Sequence, residues 1–495
     1  MNPLKALTTL ASLLFLTVPS TAQIPLASPY TSTFNSTFFL SPSQIQTTNL
    51  SHDLTRSVET IINFERSQLA HGGPLEDDFY TLPPLLITTS KLKPGTLVKV
   101  QDVTDPSQFA IPPNTALSRI LYTTTDFNGS VIPTSGFILW PFSPRPLPGL
   151  PKGKIPVVIW AHGTSGFFAP QAPSSHRGLW YGHSAPFTLA LAGYAVFAPD
   201  YAGLGVGRDW SGRAIPHQYH ATPAAVGDAL FGLRAVREAF SGRLDERWVV
   251  MGHSQGGAVA WGVAEALASR DSHRFDDLAK GFRGAIAVSP TTDMWNSPFT
   301  LTYMLTTVGF SLDSIFPNFN IGMWLTPLGV KRAELVREVQ GGIGVISQLF
   351  LRENETLIRR EDWNRTWHAE AIGRIGNSGR RDFKGPLLVI QGAEDLLVPY
   401  EGTANAVNET AKMFPERDLE FLVMKGVGHT PVLDASRQFW LDWIEDRLGD
   451  QPLRRGFKRT EVESVWPVER YLHAGNSVTL WAGLPEFEHL VELRL

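Results

Sequence analysis

The sharpest chemistry in this chain is a serine held between glycines, with a carboxylate and a histidine downstream. The segment Gly252-His253-Ser254-Gln255-Gly256-Gly257 follows an apolar run and opens a helix-compatible one. That context fits a nucleophile turn of the G-x-S-x-G kind. Glycines are demanded where strand and helix backbones close on one another, and the turn lifts the Ser254 hydroxyl clear of them. It also leaves the N–H of Gln255 at a helix start, where an oxyanion is stabilised. A serine hydroxyl is a weak nucleophile and needs a base whose tautomer a carboxylate fixes. Asp395 lies in Gly392-Ala393-Glu394-Asp395-Leu396, and His429 in Gly426-Val427-Gly428-His429-Thr430, each just after an apolar run. The order serine, acid, histidine predicts a triad of Ser254, Asp395 and His429, with Glu394 as the rival acid.

A second oxyanion donor is expected from His162-Gly163-Thr164-Ser165-Gly166. The N–H of Thr164 is the choice, with Gly163 as the neighbouring alternative. Phe167 and Phe168 follow directly and either line an acyl pocket or serve as packing. His217-Gln-Tyr-His220 lacks a third ligand or an H-E-x-x-H pattern, so both histidines read as structural.

The elements that must position these residues are short apolar runs at 157–160, 194–197, 248–251, 285–288, 387–390 and 421–424. Each ends in Gly, Pro or a polar cluster. Helix-patterned stretches lie between most of them, for example 227–240 and 257–269. Continuous apolar strands alternating with helices mean an α/β fold, a mostly parallel sheet covered on both faces. Such sheets carry their sites beyond the carboxyl ends of strands, where the candidates fall. Residues 291–384 break the rhythm. They are rich in Met, Phe and Trp and read as a helical cap inserted between core segments 23–290 and 385–448. Residues 54–69 are helix-compatible, and residues 449–495 form a C-terminal extension to which no role is assigned.

The 495 residues include 43 Lys+Arg against 47 Asp+Glu, a formal charge of −4, so there is no basic excess to neutralise nucleic acid. Cys is absent, which excludes disulfides, thiolate metal sites and a cysteine nucleophile. Residues 1–22 read as a secretory signal. Lys5 precedes an apolar run, and the small residues Ser20 and Ala22 stand third and first before a cut ahead of Gln23. No later run is long enough for a transmembrane helix. Sequons at Asn35, Asn49, Asn128, Asn354, Asn364 and Asn408 predict a glycosylated, extracellular protein.

Several pieces resemble, in order over residues 93–448, the fungal and bacterial secretory lipases, a lid-bearing branch of the α/β hydrolases. Residues 118–126 with Ser135-Gly136 are similar to the first strands of that family. His162-Gly-Thr164 with Ala172-Pro-Ser174 is similar to its oxyanion loop, and Asp200-Tyr-Ala-Gly-Leu-Gly205 to a following loop. His217-Gln-Tyr219, Gly227-Asp228 and Arg234-Ala235 correspond to its helix before the nucleophile strand. Relatives commonly carry a Cys where Ala172 stands here. The resemblance implies an α/β-hydrolase fold with a helical lid and hydrolysis of carboxylic esters, small-molecule or lipid, without metal or organic cofactor and with transient contact between lid and lipid interface. A deacetylase or acyltransferase acting on a secondary metabolite, and a peptidase or amidase, use the same triad. A non-catalytic binding protein of this fold would usually lack a triad member.

Overall fold

The computed structural model describes residues 38–85, 92–297, 301–351, 354–453 and 455–470. The signal segment 1–22 and Asn35 lie outside them. Ten strands form one sheet: β1 (Leu97–Gln101), β2 (Ala116–Thr125), β3 (Val131–Trp140), β4 (Ile155–Ala161), β5 (Ala195–Pro199), β6 (Leu244–His253), β7 (Phe282–Val288), β8 (Leu387–Gly392), β9 (Leu419–Met424) and β10 (Phe457–Val462). Their order is β1-β2-β3-β5-β4-β6-β7-β8-β9-β10. Pairing is antiparallel from β1 to β5 through β2 and β3, and parallel thereafter. The crossing of β4 and β5 puts β4 and β6 side by side, so the Thr164 loop and Ser254 leave the sheet next to each other.

The predicted apolar runs are strands because both faces of the sheet are covered. In β4, Val157, Ile159 and Ala161 enter one core with Leu230 and Leu233 of α2 (Thr222–Ala239) and Val259 and Val263 of α3 (Gln255–Ala268). Val158 and Trp160 enter the opposite core with Trp440 and Ile444. The period of two therefore splits one continuous apolar run between two layers. Each large side chain so buried contributes about 1.5–3 kcal/mol.

A third core belongs to the cap. It joins α4 (Leu301–Gly309), α5 (Pro327–Val339), α6 (Ile343–Leu351) and α7 (Trp367–Gly376) through Leu305, Trp324, Val336, Leu349 and Ile372. An N-terminal helix over His52–Ser67, here αN, shares this core through Leu54, Val58, Ile61 and Ile62. Thus the N-terminal segment braces the cap rather than the sheet. Among the described residues no helix is long and apolar enough to cross a membrane.

Two details depart from the sequence reading. Residues 457–462, in the extension without an assigned role, add β10 in parallel to β9. The run is too charged to look like a strand, but charge suits an exposed edge, and Lys425 pairs there with Glu461 at 3.2 Å. The second concerns His217-Gln-Tyr219, which precedes α2 instead of lying in it. His220 takes φ 59°, and a proline follows in the first turn of the helix, so the helix cannot run back through this point.

Asp228 in α2 is buried and accepts the N–H of Ala202 at 3.0 Å. Burial pushes its carboxyl from 3.8 up to about 7. A raised carboxyl favours the folded state fully below about pH 4, and that contribution is lost as the pH rises through about 7. Asp228→Asn keeps the acceptor without the charge. We expect wild type to lose, relative to the variant, on the order of a few kcal/mol of stability between pH 4 and pH 8. Denaturant titrations of both proteins across that range test this, and parallel pH curves would refute it.

Candidate active site

Ser254 stands between β6 and α3 with φ 57° and ψ −120°, a strained conformation for a side-chain-bearing residue. The elbow closes so tightly that a Cβ at Gly252 would lie 2.0 Å from the carbonyl oxygen of Gly256. One at Gly256 would lie 1.9 Å from that of Ala161. Glycine is thus required by backbone contact at both places. The N–H of Ser254 donates to Val288 of β7 at 2.9 Å and pins the turn to the sheet. Among the described residues its hydroxyl has no hydrogen-bond partner, and no bond joins it to His429.

Asp395 and His429 do meet. His429 Nδ1–H donates to Asp395 Oδ2 at 2.7 Å. Because a carboxylate can only accept, the proton sits on Nδ1 and the Nε2 lone pair is free. The Asp395 side chain is wholly buried and receives three further donors: the N–H groups of Leu397 (3.0 Å) and Val398 (2.8 Å) on Oδ1, and Gln391 Nε2 (3.0 Å) on Oδ2. Glu394, the rival acid, is exposed to solvent. A Cβ at Gly392 would lie 2.3 Å from the carbonyl of Val427, so the acid and histidine loops touch along their backbones.

His253, which the motif leaves unspecified, links the elbow to the histidine loop. Its Nε2–H donates to the carbonyl of His429 at 2.8 Å, and its Nδ1 accepts from the Tyr181 hydroxyl at 2.6 Å. Burial and the adjacent His429 hold its pKa well below the usual value, so the neutral ring these two partners require is the stable one. The Tyr181 hydroxyl in turn fills the space beside Gly163, where a Cβ would come within 1.9 Å of it.

On the other side, the N–H groups of Gln255 and Thr164 have no acceptor among the described residues. The Gln255 side chain is fixed through Nε2, which donates to His217 Nε2 at 3.2 Å, while His217 Nδ1–H donates to Ala202 at 3.1 Å. Burial lowers the His217 pKa to about 4. Both its nitrogens are engaged in holding the elbow. Thr164 is anchored by Oγ1 against the Tyr219 hydroxyl at 2.8 Å. The Phe167 ring packs on Tyr219 (5.0 Å) and on Phe310 of the cap (5.8 Å), and Phe168 lies 5.6 Å from Phe310.

The motif pieces scattered along the sequence converge behind this loop. The buried Asp200 carboxylate accepts Ser135 Oγ–H (2.6 Å), Ser174 N–H (2.8 Å) and Ser174 Oγ–H (2.5 Å). Sequence reasoning missed His253, Tyr181 and Gln391 as site residues. A polar side chain at the end of an apolar strand was the available signal for His253 and Gln391. Tyr181 offered none.

Of the sequons, Asn49, Asn128, Asn354, Asn364 and Asn408 are all exposed. Among the described residues no cluster of His, Cys, Asp and Glu could hold a metal ion.

The fold is similar to that of Candida antarctica lipase A, at 15% identity and a TM-score of 0.62 over 80% of this chain and 90% of that one. The same lipase in its closed state gives 17% identity and a TM-score of 0.59 over 78% and 88%. A mutant of the rice cell wall degrading esterase LipA from Xanthomonas oryzae gives 16% and 0.54 over 71% and 100%. No curated protein matches. The model of the alpha/beta hydrolase family matches residues 158–442, which run from within β4 through the Ser254 elbow and the cap to both loops holding Asp395 and His429. The chain belongs to the alpha/beta hydrolase family.

Proposed function

We propose that this hydrolase is a secreted serine carboxylic-ester hydrolase, a lipase or esterase, acting through Ser254, His429 and Asp395. The observation that carries this reading is the buried 2.7 Å bond from His429 Nδ1 to Asp395, on a loop tied to the strained Ser254 elbow through His253. His429 Nε2 takes the Ser254 proton as Oγ attacks the ester carbonyl. The oxyanion is received by the N–H groups of Gln255 and Thr164, and His429 protonates the leaving alcohol. Water then repeats the sequence on the acyl-enzyme. Asp395 holds the ring through Nδ1–H, and its three added donors fix the carboxylate in place. The aromatic cap over the site, and the lipase and esterase among proteins of similar fold, support an ester with an apolar acyl or alcohol group.

The signal at residues 1–22 and the exposed sequons support export and glycosylation. Loss of mass on treating the secreted protein with an N-glycanase is the corresponding observation.

The test is hydrolysis of p-nitrophenyl esters from acetate to palmitate, below and above the concentration at which each disperses. Ser254-dependent hydrolysis is expected. A long-chain preference that jumps on dispersion identifies a lid-gated lipase, and a preference for acetate without a jump identifies a small-ester or deacetylating enzyme. Cleavage of anilides but of no ester would overturn the proposal in favour of an amidase, and acyl transfer to added alcohol without hydrolysis would do so in favour of an acyltransferase.

A further inference from the structure

We propose that Gln171 is a positioning residue whose side-chain amide couples the oxyanion loop to the corner between cap helices α5 and α6. It thereby makes the placement of the second oxyanion donor depend on the cap. The inference rests on the reading of Ser254 as nucleophile and of the Thr164 N–H as a donor to the oxyanion.

Gln171 Oε1 accepts two backbone donors at the exit of the loop, Phe168 N–H at 2.9 Å and Phe167 N–H at 3.3 Å. Its Nε2 donates to the carbonyl of Gln340 at 2.8 Å. A primary amide offers an acceptor to one element and a donor to another from the same planar group. The side chain lies against Gly166, whose φ is 155°, and a Cβ there would come within 2.2 Å of Gln171 Cγ. Gly166 is therefore shaped to the glutamine.

The cap end of the link is a corner capable of bending. Gln340 ends α5 in a left-handed conformation, φ 51°, and is followed by Gly341 and Gly342 before α6 begins. A second side chain holds this corner from the other side, because Glu65 Oε2 of αN accepts the Gly342 N–H at 2.8 Å. A cavity of about 100 Å³ beside the link is lined by Ser165, Gln171, Gln340 and Glu65, and leaves space for the corner to shift. The Phe167 and Phe168 rings rest on Phe310, so the loop follows the cap through packing as well. Oxyanion donors act only when held close to the right place, since a displacement of about 1 Å costs on the order of 10²-fold in rate. The Gln171 amide ties the exit of the loop carrying Thr164 to the cap by hydrogen bonds.

Gln171→Leu removes both halves of the link at similar volume, and Gln171→Glu keeps the acceptor for Phe167 and Phe168 while losing the donor to Gln340. On a soluble short-chain ester we expect Gln171→Leu to lower kcat roughly 10- to 100-fold with KM within about twofold. Gln171→Glu should recover much of that kcat, yet change the ratio of rates on dispersed and dissolved substrate. Labelling by a p-nitrophenyl phosphonate counts reactive Ser254 in every variant and should stay stoichiometric. Wild-type kcat in both variants would overturn the inference. So would a fall in labelled fraction that alone explains the lost rate, since that reports misfolding. A wild type that does not label at Ser254 would refute the nucleophile reading itself, and this inference with it.

Discussion

Ser254→Ala is expected to lower turnover of any ester substrate by about 10⁶-fold while leaving the melting temperature unchanged. The size of the loss reflects the replacement of a covalent route by unassisted attack of water. The residual rate comes from the oxyanion donors and from binding alone. Folding should be indifferent for two reasons visible at the elbow. The Ser254 hydroxyl has no hydrogen-bond partner among the described residues, so its removal strands no buried group. Alanine also carries the same Cβ through φ 57° and ψ −120°, so the backbone strain is neither relieved nor increased. Steady-state assays at high enzyme concentration, with calorimetry on the same preparation, measure both quantities. Turnover within tenfold of wild type would remove Ser254 from the mechanism.

The second large effect is expected at Asp395. Replacing it with asparagine should lower kcat about 10⁴-fold, with little change in KM. The reason is the tautomer. Asp395 Oδ2 accepts His429 Nδ1–H at 2.7 Å, whereas an asparagine can turn its NH₂ toward that nitrogen. The proton then moves to Nε2, the atom that must accept from Ser254. The N–H groups of Leu397 and Val398 still find an acceptor on the asparagine, so the loop keeps its shape. Glu394→Gln is the control, because Glu394 is exposed next door, and its kcat should stay at the wild-type value. A smaller loss in Asp395→Asn than in Glu394→Gln would assign the orienting carboxylate to the wrong residue.

Both expectations rest on residues legible in the sequence, and their legibility has a physical cause. A nucleophile turn compresses its requirements into a few consecutive positions: apolar strand, glycine, serine, glycine, helix. Backbone contacts of 2.0 and 1.9 Å at the would-be Cβ atoms of Gly252 and Gly256 explain why those letters cannot vary locally. The strands were legible for a similar reason. A parallel strand buried on both faces writes an apolar run, as residues 157–160 of β4, 248–251 of β6 and 387–390 of β8 do. Strand β10 was not, because an exposed edge is stabilised by charge and backbone pairing, which leave no apolar signature.

The supporting side chains were harder to see. His253 occupies a position the motif leaves open, and Tyr181 lies 72 residues away from it. Gln171 follows the Thr164 loop with no local mark of its partner Gln340, 169 residues away. What these residues contribute is a pairing across long sequence separation, and no local pattern encodes a partner. The same holds for the cap. Its apolar helices were evident, but that αN packs into them depended on which buried stripe found which.

The sequence by itself determined the buried strands, the order of serine, acid and histidine, and the elbow, because each is written in a few consecutive residues. The tertiary structure alone decided that Asp395 rather than Glu394 faces His429, that His253 and Tyr181 tie the elbow to two loops, and that Gln171 joins the Thr164 loop to the cap. Those outcomes follow from the order of strands in the sheet and the burial of particular faces, and these emerge only when the whole chain has packed.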